Sequence, residues 1–156
     1  MKDVPVLVKH RRAMFLSMGV RGKQKLAKAD EAYVKWAKSN LTRKNLRGWI
    51  VETVNRIPVG SGCIWMQPVQ PGPGRDLQVQ PYLLSMYTHP RYRRRGIASM
   101  IVEEAIKWCN KNEYDRLVLH ASDTGQKVYA KFGFKPTREM RLRLSRSRKI
   151  KRKRNM

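Results

Sequence analysis

"YTHPRYRRRGIASMIVEEAIKW", residues 87–108, decides the fold. Its second half places Ile97, Ala98, Ile101, Val102, Ala105 and Ile106, with Cys109 beyond, at steps of one and three, the broad apolar stripe of an α-helix packed on a sheet. Just upstream, "YLLSMYT" (82–88) reads as a central strand ended by His89-Pro90, and downstream "DRLVLHA" (115–121) reads as a buried strand. Residues 82–121 are therefore a strand, helix, strand unit, the connection that produces a parallel pair.

The rest of the chain supplies elements around that unit. Residues 4–18 carry Leu7, His10, Met14 and Met18 at helical spacing and stop at Gly19, and residues 23–38 repeat the pattern with Leu26, Ala29, Tyr33 and Ala37. Trp49–Val54 and Val59–Met66, joined by "NRIP", predict an antiparallel hairpin. "QPVQPGPGRD" (67–76) is loop sequence, expected to be exposed and mobile. Residues 124–132 predict a short helix, and "REMRLRL" (138–144) alternates like a last strand. The expected order is α, α, β, β, β, α, β, α, β: an α/β layer with a mixed sheet. His10, Trp36, Trp49, Trp65 and Trp108 are read as packing residues, with one or two of the tryptophans available to line an acceptor pocket, and Glu103 and Glu104 as exposed charge balance.

The chain has 156 residues, 35 Lys and Arg against 11 Asp and Glu, and a net charge of +24, so its field attracts polyanions and anionic small molecules. Cys63 and Cys109 form no metal or disulfide framework, no run is long and apolar enough to span a membrane, and the N-terminus has no signal-peptide core; a cytoplasmic protein is expected. From Arg146 onward seven of eleven residues are Lys or Arg, which predicts a solvated basic tail (146–156) after a single domain (1–145).

Four of the five residues 91–95 are arginine, and charge alone would make them ordinary basic surface. The strand before them and the glycine after them add a second property. A helix opening at Gly96 turns its first unpaired N–H groups outward, its dipole favours negative charge there, and Gly96 and Ala98 leave room for a ligand to reach the backbone.

Here the sequence resembles the GNAT family of N-acetyltransferases. Arg93-Arg94-Arg95-Gly96-Ile97-Ala98 matches the family's acetyl-CoA pyrophosphate pattern, R/Q-x-x-G-x-G/A, with arginine at position 94 where glycine is frequent. "HASDTGQKVYAKFGF" (120–134) is similar to the strand end and following helix with its tyrosine and closing Gly-Phe, and "KHRRAMFLSMG" (9–19) resembles the first helix of a small prokaryotic branch. The resemblance covers about residues 4–144. It implies a mostly antiparallel mixed sheet with a splayed parallel strand pair and helices on both faces. Most family members open with a strand before the first helix, whereas this chain enters helix-like sequence almost at once, so that strand is either absent or supplied in some other way, and a homodimer is one way to cover the edge this leaves.

The resemblance further implies acetyl-CoA as co-substrate, no metal, and direct attack by a primary amine of a small molecule, peptide or protein in a ternary complex. The backbone of Met86, Tyr87 and Thr88 is expected to bind the pantetheine arm. Arg93, Arg94, Arg95, Gly96, Ile97, Ala98 and Ser99 are expected to hold the pyrophosphate, and Ser122 to contact the cofactor. Tyr129 is the expected general acid for the CoA thiolate. The general base is left open among Glu52, Asp123, His120 and His89. The competing expectation is a nucleic-acid or ribosome-associated module that uses the arginine loop and tail; it lacks an aromatic stacking platform and any recognised nucleic-acid motif.

Overall fold

The computed structural model describes residues 1–74 and 77–143. Two helices come first, α1 (Val4–Ser17) and α2 (Lys23–Thr42), then the hairpin strands β1 (Leu46–Glu52) and β2 (Pro58–Pro68). The strand β3 (Val79–Thr88) leads through a 3-10 turn at Pro90–Tyr92 into α3 (Ile97–Lys111), followed by β4 (Val118–Leu119) and α4 (Asp123–Ala130). The sheet order is β1-β2-β3-β4, antiparallel except for the parallel β3–β4 pair. Among the described residues β1 is the first strand, and it forms one edge of the sheet.

Side-chain alternation sorts the strands onto two faces. Cys63, Leu46, Trp65 and Leu84 join Leu7, Tyr33 and Ala37 of α1 and α2 in one apolar cluster, whereas Ile64, Met66 and Leu83 join Val102, Ala105 and Cys109 of α3 in another. Helices thus cover both faces. Ile64 has no exposed surface and Leu83 only 2%, and burial of this kind stabilises by about 1.5–3 kcal/mol per side chain. The stripe read in α3 is the buried one: Ile97, Ile101, Val102, Ala105 and Cys109. All four tryptophans border the two sheet-facing clusters, half-buried, and Glu104 receives Lys107 at 2.7 Å on the exposed side of α3.

Two expected strands are corrected. The one read at 115–121 is reduced to Val118–Leu119, because β4 pairs with β3 only through Tyr82↔Val118 and Leu83↔Leu119 before the strands part. The alternating segment 138–144 forms no strand over its described residues 138–143: Met140 is 95% exposed and Leu142 81%, so the alternation has no face to bury. Residue 144 and the basic tail, 146–156, lie outside the described residues.

Candidate active site

The site grows from an irregularity in β3. Cys63 pairs with Leu84 and Ser61 with Tyr87, so Ser85 and Met86 together face the single residue Gly62, which is a β-bulge. Ser85 takes a left-handed φ of +54°. A Cβ at Gly62 would stand 2.4 Å from Met86 Sδ and 2.7 Å from Ile101, so the side chains of the bulge and of α3 pack into the space that this glycine leaves free. Beyond Leu83 no described strand pairs with β3 on its β4 side, and the backbone from Leu84 to Thr88 borders the opening between the parted strands.

That backbone leads directly into the arginine turn. His89 caps it, accepting from the Arg91 N–H at 3.3 Å, and Arg93 Nε donates to the Thr88 carbonyl at 3.4 Å. Arg94 and Gly96 both have left-handed φ, +59° and +78°, reversals of the kind from which anion-binding concavities are built. Gly96 is the N-cap of α3 and supplies no side-chain cap, and no described residue accepts the N–H groups of Ile97, Ala98 or Ser99. A Cβ at Gly96 would meet nothing within 4 Å. The helix start is open, uncapped and without an acidic residue in its first turn, while Arg93, Arg94 and Arg95 are exposed around it and Arg95 lies over the Tyr92 ring at 5.3 Å. These residues fit a pyrophosphate: unpaired donors at a helix N-terminus, with guanidinium groups to clamp the oxygens.

Tyr129 sits on α4, bordering the same apolar cluster as Met86 and Leu119, with its ring 5.8 Å from that of Phe134. Gly125 makes room for it, since a Cβ there would be 3.0 Å from the tyrosine's Cε2. Burial raises the Tyr129 pKa, which keeps the phenol protonated and able to donate. Ser122 is the N-cap of α4; its hydroxyl accepts the Gly125 N–H at 3.2 Å, so its observed work is to start that helix.

One constellation was not legible in the sequence. The Tyr82 hydroxyl on β3 is hydrogen-bonded to His120 Nδ1, just past β4, and His120 Nε2 donates to Glu139 at 2.9 Å. Arg141 holds the same carboxylate at 3.2 Å. The hydrogen bonds from His120 and Arg141 lower the Glu139 pKa, and burial, then Glu139, raises that of Tyr82. An ionised Glu139 can only accept, so it places the imidazole proton on Nε2 and leaves the Nδ1 lone pair facing the phenol. Of the four base candidates, His120 alone acquires an orienting carboxylate. Glu52 lies on β1, at the opposite edge of the sheet; Asp123 is in the first turn of α4; and His89 is occupied in the turn, its ring 5.8 Å from Tyr92.

Residues 14–134 match the acetyltransferase (GNAT) family, and the chain belongs to it. The protein is an acetyltransferase of this fold. It is similar to a GCN5-related N-acetyltransferase from Ralstonia eutropha JMP134, at 28% identity over 92% of this chain and 93% of that one, with a TM-score of 0.81. It is also similar to a predicted acetyltransferase from Clostridium acetobutylicum with acetyl-CoA, at 26% identity over 93% and 91% of the two chains and a TM-score of 0.81. Glucosamine-6-phosphate N-acetyltransferase from Arabidopsis thaliana shares the fold, at 13% identity over 75% and 77% of the two chains and a TM-score of 0.57. No curated protein matches the chain. No helix among the described residues is long and apolar enough to cross a membrane, and those residues contain no cluster of metal-ligating side chains.

Proposed function

We propose that the protein transfers an acetyl group from acetyl-CoA to a primary amine by direct attack within a ternary complex. The observation that carries this reading is the open N-terminus of α3, with its unaccepted N–H groups at Ile97 to Ser99, set where β3 leaves β4. The bound thioester supplies the activated acetyl group. The backbone of Met86 to Thr88 binds and orients the pantetheine arm, and Arg93, Arg94 and Arg95 neutralise the pyrophosphate that the α3 amides hold.

The protein's remaining task is to move two protons. An attacking amine must be neutral, and His120 Nδ1, with Tyr82 as its hydrogen-bonded neighbour and Glu139 behind it, is the group that accepts its proton, through the phenol or a water. Glu139 stabilises the imidazolium that forms. Tyr129, kept protonated by burial, donates to the departing thiolate. The two proton groups come from different elements, His120 after β4 and Tyr129 on α4, so accepting and donating need not share one residue.

The test is a screen of primary amines for acetyl-CoA-dependent thiol release, repeated with His120→Gln. The reading expects at least one amine to be turned over and the variant to be slowed with acetyl-CoA still bound. Undiminished turnover in the variant removes His120 from the role. Nothing among the described residues favours the competing nucleic-acid reading, which would use the arginine loop together with the tail, and the tail lies outside the described residues.

A further inference from the structure

The acetyl-transfer reading leaves a second polar site unused, on the α1–α2 face of β3. Arg11 projects from α1 so that its guanidinium carbon lies 4.6 Å from the ring centres of both Phe15 and Tyr33. Its Nη1 is sealed from solvent but donates to no described residue, and the Tyr33 hydroxyl is likewise sealed, with only the weak partners Cys63 and Ser85 beside it. Tyr33 itself is 5% exposed. Its polar neighbours include Cys63 and Ser85, and Ser85 is the left-handed residue of the bulge. Asp30, the nearby acid, is engaged by Arg12 Nε at 2.5 Å. A guanidinium donor without an acceptor and a phenol with only weak partners therefore stand on the α1–α2 side of the bulge in β3.

Unpaired buried donors are costly unless a ligand completes them, and the acid whose charge reaches Arg11, Asp30, is already engaged by Arg12. A guanidinium over aromatic rings keeps its in-plane edge for hydrogen bonding, and that edge suits a planar carboxylate, with a tyrosine hydroxyl as an added donor. Arg11 as a whole is only half-buried, so a small anion can approach the guanidinium from its exposed side. A chain of net charge +24 also draws anionic acceptors inward.

We infer that Arg11 and Tyr33 form an acceptor subsite for a carboxylate, so that the amine acetylated belongs to an amino acid or short peptide with a free carboxyl group. This rests on the acetyl-transfer reading and names its substrate class. Arg11 and Tyr33 position the acceptor and take no part in proton transfer.

The test compares pairs that differ only in charge, L-phenylalanine against its amide and glycyl-phenylalanine against its amide, by thiol release and by calorimetric binding of their N-acetylated forms to the protein–CoA complex. For at least one pair the acid should be favoured on the order of tenfold or more in kcat/KM or in affinity. That preference should shrink toward unity in Arg11→Met, which keeps the packed stem, and weaken in Tyr33→Phe, with acetyl-CoA affinity unchanged in both. Equal handling of acid and amide, no binding of either, or a preference that survives Arg11→Met overturns the subsite. Saturable acetyl-CoA binding or thiol release with other amines in the same protein would show that the acetyl-transfer reading stands without it.

Discussion

Leu83 faces Leu119 across the last parallel pairing of the sheet, and two residues later Ser85 turns to a φ of +54°. The strands part and β3 buckles within one short stretch, and this stretch places an unpaired backbone beside the arginine turn. Parallel pairing that ends after two residues would be a weakness in a purely structural sheet; here it leaves the backbone from Leu84 to Thr88 without a described strand on that side.

Tyr129 is isolated enough to be tested alone. Tyr129→Phe retains the ring beside Phe134 and removes only the proton donor. Thiol release should fall about a hundredfold with acetyl-CoA affinity little changed. Steady-state kinetics together with calorimetry check this, and equal turnover would remove the role.

The Tyr82, His120 and Glu139 chain predicts a graded series. His120→Gln should lower kcat on the order of a hundredfold, while Glu139→Gln, which leaves the imidazole present but less well oriented, should cost about tenfold. KM for acetyl-CoA should not move in either, because neither residue belongs to the arginine turn. A Glu139→Gln variant with unaltered kcat would show that the carboxylate does not orient the base.

Gly60 lies under the start of α3, where a Cβ would stand 2.3 Å from Ile97 and 3.3 Å from the Tyr87 carbonyl. Gly60→Ala must displace Ile97, the first residue of the helix. We expect a loss of about 1–3 kcal/mol of stability, measured by chemical denaturation, together with weaker acetyl-CoA binding.

His10 is 5% exposed, its Nδ1 2.9 Å from Ser61 Oγ and its ring 4.7 Å from that of Tyr87. Burial lowers its pKa below 6.5. As pH falls, the unfolded chain takes up this proton before the folded one does, so the unfolded state is favoured by acid. The thermal midpoint should drop between about pH 7.5 and about pH 5.5, and His10→Gln, though less stable overall, should show a shallower drop. Parallel pH profiles for the two proteins would contradict the assignment.

The sequence revealed what depends on local pattern. The period of α3 and the Arg93–Ala98 turn after β3 were readable because helix stripes and helix-start glycines are written in adjacent residues. The shortness of β4 was not, because it depends on where β3 diverges, which "DRLVLHA" cannot encode. The alternation at 138–144 misled for a related reason: alternation shows that a segment can pair, but not that a partner is within reach. His120 was visible as a candidate, yet its connection to Glu139, nineteen residues on in irregular chain, needed the fold. The buried donors of Arg11 and Tyr33 were invisible for the same reason, since their spacing gives only helix packing.

The central claim is that the start of α3 holds the cofactor's pyrophosphate, and calorimetric titration of acetyl-CoA into the protein and into Gly96→Glu tests it most directly. The new side chain has space, since nothing lies within 4 Å of a Cβ at Gly96, but it brings a negative charge and strains the φ of +78°. The account predicts saturable binding by the native chain and at least about a tenfold loss in the variant, with the variant still folded by circular dichroism. No saturable binding by the native chain, or equal affinity in the two, would contradict it.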